Sequence, residues 1–196
     1  MGSLWLGGDF CEVPVRVVAE SEKRCIANAR AIGRRLPKAV DVLTEALIQS
    51  GISMAMAGSS SPASGGEHLI SHYWDMVGPA AAFHGDLHGR QVAVAAVQMA
   101  RLYEHLRART SEGIDLAAVV AQRPTEEALR EESLAHFTPL MGEQPAQEIA
   151  DMLLGKHLPG SRLRSALAPL ANDPKGFWKL VGTYLRPSAQ IAEAYR

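Results

Sequence analysis

Cysteine is scarce in this 196-residue chain, where Cys11 and Cys25 are its two. Two thiols at that spacing make neither a disulfide framework nor a zinc-finger pattern. They fit a reducing compartment, and the expectation is a cytoplasmic protein. A surplus of charge is also lacking, because 20 Lys and Arg meet 21 Asp and Glu for a formal net charge of -1. The basic residues are spread along the chain, so there is no electrostatic footprint for nucleic acid or an anionic membrane. No apolar run approaches the roughly 20 residues that a membrane span needs. The opening MGSLWLGGDF has neither the basic start nor the long apolar core of a signal peptide.

Strand signals are sparse as well. The best is VPVRVV at Val13 to Val18, and Pro14 interrupts it. The string GGDF at Gly7 to Phe10 has no alternating strands around it and carries no weight. What remains reads as helices punctuated by Pro and Gly. Ser21 suits the cap of a helix running to Gly33, and Pro37 suits the first turn of the next. In that helix Val40, Leu43, Leu47 and Ile48 make an apolar face, and Gly51 stands where a C-terminal glycine belongs. A further helix is expected over 66–76, ended by Gly78 and Pro79. A long one opens at Asp86 or His88, with Val92, Ala95, Ala96, Met99 and Leu102 turned to the core. Shorter helices are expected at 113–122, 125–137, 145–154, 161–170, 174–184 and 187–195. No repeat and no convincing linker interrupts the chain, so residues 1–196 are expected to form one all-α domain.

The chemistry gathers in Gly58 to Gly89, GSSSPASGGEHLISHYWDMVGPAAAFHGDLHG, which holds His68, His72, His84 and His88. A Ser/Pro/Gly loop leads into it. Residues four apart share a helix face, so His68 and His72 point the same way. Two such imidazoles can bind one metal, or one can bind while the other handles a proton. A helix of about three turns, a loop and a return would bring His88 back near the start of that helix. Gly65, Gly66 and Gly89 would admit backbone or ligand closely. Seven histidines also produce such spacings by accident, and a histidine on a helix face is more often packed than functional. Ligation, proton handling and plain packing therefore all stay open on spacing alone. His84 reads as a solvated loop residue, and His105, His136 and His157 have no motif around them.

The run GSSSPASGGEHLISHYWDM followed by LHGRQVAVA resembles the sn-glycerol-1-phosphate dehydrogenase branch of the iron-containing alcohol dehydrogenase superfamily. Glycerol dehydrogenase and 3-dehydroquinate synthase are relatives within it. The likeness covers roughly residues 40–102 and includes DVLTEALIQSGISMAMAGSS. It implies a helical bundle like the C-terminal metal-binding domain of those enzymes, in which His68 and His88 ligate zinc or iron. By the same likeness His72 is the proton-handling residue beside the substrate, and Ser64 and Gly65 lie on the substrate-binding loop. The activity implied is NAD(P)-dependent oxidation of a small polyol or polyol phosphate.

The sequence also departs from that pattern. No glycine-rich nucleotide loop follows a strand, so the nucleotide-binding α/β domain is expected to be absent, and with it the NAD(P) site. The family's third ligand, an aspartate, has no counterpart, since Asp9 and Asp41 lie outside its context. Ser61 stands where the family has arginine and Arg90 where it has glutamate. The chain is thus expected to be inactive alone, with the missing domain or a second copy as its partner. The competing reading is a non-catalytic binding or assembly module derived from the same family. A relative acting on a cyclic phosphate is a third, weakened by the absence of a basic cluster near the loop.

Overall fold

The structure is a computed structural model and describes residues 11–80, 85–183 and 185–195. His84, Asp9 and the GGDF string lie outside the described residues. Every regular element within them is helical, as expected. The helices are α1 (Glu12–Ala27), α2 (Ala29–Gly33), α3 (Pro37–Ala57), α4 (Gly66–Val77), α5 (His88–Thr110), α6 (Leu116–Ala121), α7 (Glu126–Met141), α8 (Glu143–Gly155), α9 (Gly160–Asn172), α10 (Pro174–Gly182) and α11 (Ser188–Ala194). None is long and apolar enough to cross a membrane. The described residues group into two compact units. The first holds residues 11–71, 88–104 and 185–195, and the second holds residues 72–80, 85–87 and 105–183.

In the first unit α1 packs on α3. The VPVRVV run is helix rather than strand because Pro14 sits in the first turn of α1, where a missing N–H removes no helical hydrogen bond. Ser21 does not cap a helix. It lies buried within α1, its hydroxyl bonded to the Val17 carbonyl (3.0 Å) and to Gln49 of α3. Arg24 and Glu45 bridge the two helices at 2.7 Å near the surface. Pro37 opens α3 as expected, but the helix runs through Gly51 and stops at Gly58. With φ of 62°, Gly58 donates to the Ala55 carbonyl and Ser59 to that of Met54, the paired bonds of a left-handed helix end. The expected apolar face of α3 is corrected too. Its buried residues are the small Ala39 and Ser53, whereas Val40, Leu47 and Ile48 are 40%, 65% and 59% exposed. On α5, Ala95 is buried as expected, and Leu102 is exposed instead.

α11 is fixed to α5 through Glu104, whose two carboxylate oxygens accept from the Ser188 N–H (2.8 Å) and the Ser188 hydroxyl (2.9 Å). A carboxylate at a helix N-terminus also suits the helix dipole. These bonds, the backbone N–H first, hold the Glu104 carboxyl below its usual range.

In the second unit α7 and α8 pack on each other, joined by Gly142 with φ of 88°. Ala146 and Ala150, one turn apart, are fully buried on α8, and Phe137 is buried on α7. Thr125 caps α7 by accepting from the Ala128 N–H at 3.1 Å. α9 packs on α6 and on α10. On α10 Trp178 is 6% exposed, and its indole N–H donates to the Thr110 hydroxyl at 2.9 Å.

Trp178→Ala is expected to lower the free energy of unfolding by about 3–5 kcal/mol. Trp178→Phe should cost less, because it keeps most of the apolar contact. Urea unfolding followed by far-UV circular dichroism checks both, and an alanine variant as stable as the parent would contradict this packing. A second expectation concerns pH. A carboxyl held low in the folded state stabilises above its unfolded pKa, and that contribution is lost as pH falls through the folded value. Glu104→Gln should therefore melt below the wild type at pH 7, and the gap should close in acid. Parallel melts at pH 7 and at pH below about 4, the ordinary glutamate range, test it.

Candidate functional site

The site is built where the loop after α3 enters α4. Glu67 lies in the first turn of α4, where negative charge is favoured. Its Oε1 accepts from the Gly65 N–H at 2.8 Å and lies 2.9 Å from His68 Nδ1. Burial raises the Glu67 carboxyl, but the bonds from His68 and from the backbone N–H groups of Glu67 and Gly65 outweigh it and hold the group low. An ionised carboxylate has no hydrogen to give, so His68 Nδ1–H is the donor. The His68 lone pair, in the neutral ring, is then on Nε2.

His88 is the first residue of α5. Its Nδ1 lies 3.2 Å from the Ser71 hydroxyl, which donates in turn to Gln91 Oε1 at 2.7 Å. The His68 and His88 ring centres are 5.3 Å apart, with the planes inclined by 56°. Two imidazoles bound to one tetrahedral zinc through nitrogens at about 2.0–2.1 Å would hold their centres roughly 5 Å apart. The observed spacing of the ring centres matches that value. The donor set also fits, since each Nδ1 has an oxygen partner of the kind that orients ligating histidines.

The other expected residues fall as follows. His72 lies one turn after His68 on α4 and is exposed. Asp75 follows it by three residues, with the potential ligand atoms of the two within 4.8 Å. Ser64 is half-buried in the loop and Gly65 is exposed. Gly65 is tied to the site through its N–H, and a Cβ there would meet Glu67 Oε2 at 2.6 Å. A Cβ on Gly66 would meet the Met99 methyl at 2.6 Å, whereas Gly89 has open space around its α-carbon. Ser61 and Arg90, the two departures, are both exposed. In the second unit His136 accepts or donates at 2.9 Å to the Tyr73 hydroxyl and packs edge-on against Phe137. Arg123 donates to His157 Nδ1 at 3.1 Å. A cavity of about 970 Å³ in the first unit is lined by residues such as Glu22, Cys25, Arg30 and Tyr195, and by neither His68 nor His88.

Sequence reasoning named the histidines and missed Glu67, Ser71, Gln91 and Asp75. The signal was available for some of them. Glu67 precedes His68 directly, Gln91 is one turn after His88, and Asp75 is one turn after His72. Ser71 had no such signal, because only the fold turns its hydroxyl toward His88.

The glycerol-1-phosphate dehydrogenase [NAD(P)+] of Hyperthermus butylicus is 40% identical over 97 residues, half of this chain and 27% of that protein. That of Metallosphaera sedula is 52% identical over 69 residues, 35% of this chain and 20% of that protein. The Halalkalibacterium halodurans protein of the same name is 35% identical over 96 residues, 49% of this chain and 24% of that protein. The likeness is to the glycerol-1-phosphate dehydrogenases. It fits a C-terminal helical domain of that superfamily. These matches span between a fifth and about a quarter of the relatives' length. No family model matches the chain, and no solved structure matches it.

Proposed function

We propose that this chain is the metal-binding helical part of an NAD(P)-dependent polyol dehydrogenase of the glycerol-1-phosphate dehydrogenase kind, inactive without a nucleotide-binding domain. One observation carries the reading: two imidazoles 5.3 Å apart, each engaged through Nδ1 by an oxygen partner. His68 and His88 would hold zinc or iron through Nε2. The chemistry such a metal supplies when bound is Lewis-acid polarisation of a polyol hydroxyl.

The chain's own residues do the rest. Glu67 keeps the His68 ring oriented and favours a strongly donating Nε2. His72, exposed on the same helix, would exchange the hydroxyl proton with solvent, and Asp75 is near enough to steady its ring. The loop at Ser64 and Gly65 would contact the substrate. Ser61, an uncharged residue where the family has a cation, favours a neutral polyol over a phosphorylated one. The described residues contain no strand, Gly-rich turn and helix unit, so they do not fit NAD(P). The nicotinamide would be positioned by another domain.

A second reading rests on a separate observation. Val40, Leu47, Ile48, Ile52 and Met56 leave the outward side of α3 apolar and 40–65% exposed. Such a surface marks a contact face, which fits a non-catalytic assembly module as well as a domain awaiting its partner. Metal binding separates the two. The wild type is expected to bind about one zinc per chain, and His68→Ala and His88→Ala each to lose it, by titration calorimetry and metal analysis. Wild-type protein free of zinc under saturating conditions would favour the assembly module. The purified chain is also expected to show no NAD(P)-dependent oxidation of glycerol or glycerol 1-phosphate. Robust turnover by the chain alone would overturn the proposed dependence on another domain.

A further inference from the structure

We propose that Ser71 and Gln91 are positioning residues that set the His88 tautomer for metal binding. The inference rests on the metal reading of His68 and His88 and adds to it a hydroxyl and a carboxamide with no ligating role of their own. Ser71 is 0% exposed and Gln91 4%. Polar groups this deep are costly unless hydrogen-bonded, and here each bonds the other. A serine hydroxyl has a single hydrogen. That hydrogen goes to Gln91 Oε1 at 2.7 Å. The 3.2 Å contact with His88 Nδ1 is then a hydrogen bond only when Nδ1 carries the proton and Ser71 Oγ accepts it. In a neutral imidazole with a protonated Nδ1, the lone pair is on Nε2. The relay from His88 through Ser71 to Gln91 thus selects the ring form that ligates through Nε2.

It also fixes the ring in place. Ser71 is on α4 and Gln91 on α5, one turn beyond His88, so the relay ties the ring to both helices. The Nδ1 of His68 faces an anionic oxygen of Glu67, whereas the Nδ1 of His88 faces the neutral hydroxyl of Ser71. The two rings therefore reach the same tautomer by different routes.

The test combines two readouts on the full chain. Two-dimensional ¹⁵N imidazole spectra of the metal-free protein above pH 8 read the tautomer directly. The wild type is expected to carry the His88 proton on Nδ1, and Ser71→Ala and Gln91→Leu to shift it toward Nε2. Zinc titration is expected to weaken by about 10- to 100-fold in both variants. Gln91→Glu keeps an acceptor at that point and should stay within a few-fold of wild type, which a merely structural role for Gln91 would not predict. If Ser71→Ala fails to fold, the wild-type tautomer and the Gln91 pair still decide. A wild-type His88 protonated at Nε2 overturns the proposal. So does unchanged zinc affinity in Ser71→Ala and Gln91→Leu while His88→Ala loses binding. Zinc binding that is absent in the wild type, or intact in His88→Ala, sinks the metal reading itself and this proposal with it.

Discussion

A buried hydroxyl has one hydrogen to place, and the placement of the Ser71 hydrogen sets the chemistry of the ring beside it. Water cannot substitute freely for a missing partner at that depth, so the Ser71 and Gln91 side chains are constrained in a way that surface polar residues are not. The constraint also decides what the surrounding helices do. The N-terminal turn of α5 has to present His88 and Gln91 together, and α4 has to bring Ser71 to them. On α4 the first turn carries Glu67 and His68 and the second carries Ser71, while His88 opens α5.

The interior around this site is slight. The largest fully buried side chains among the described residues are Ser53 and Ser71, and the buried apolar residues of the first unit are Pro14, Ala39, Ala95 and Ala100. Small residues let helices approach closely but remove little apolar area from water, and burial stabilises in proportion to that area. Much of the apolar surface instead faces outward, along α3 above all. A protein that leaves a row of Val, Leu, Ile and Met exposed gives up stabilisation that a partner surface would restore. The hydrogen-bonded serines have a matching role. Ser21 joins α1 to Gln49, Ser71 joins α4 to Gln91, and Ser53 bonds the Ser50 carbonyl within α3 at 2.7 Å.

The sequence makes the all-α class and most helix positions readable, because Pro and Gly fall at the boundaries they favour. It misleads where one local signal has two physical outcomes. Pro14 breaks a strand but is harmless in a first helical turn. Gly51 can end a helix, but the helix continues, and the left-handed conformation falls at Gly58 instead. On α3 the apolar periodicity marks an amphipathic helix correctly. It cannot say whether the apolar side meets the chain's own core or another surface, since both obey the same hydrophobic effect. The grouping of His68 and His88 is legible, because the helix, loop and return between them bring the two rings to 5.3 Å. Ser71 is not, because a serine in a helix is ordinary and its distance of seventeen residues from His88 has no local meaning.

Burial also separates residues here that tolerate exchange from residues that do not. Ser61 and Arg90, the residues that depart from the glycerol-1-phosphate dehydrogenase pattern, are exposed, and exchanging an exposed side chain usually alters stability by less than about 0.5 kcal/mol. The bonds from Ser71 to His88 and to Gln91 use neither side chain. Ser71 and Gln91 have no such latitude, because removing either leaves the other buried with a broken bond. Exchanges of exposed side chains at the loop and at the α5 entrance therefore leave the Ser71 and Gln91 bond in place.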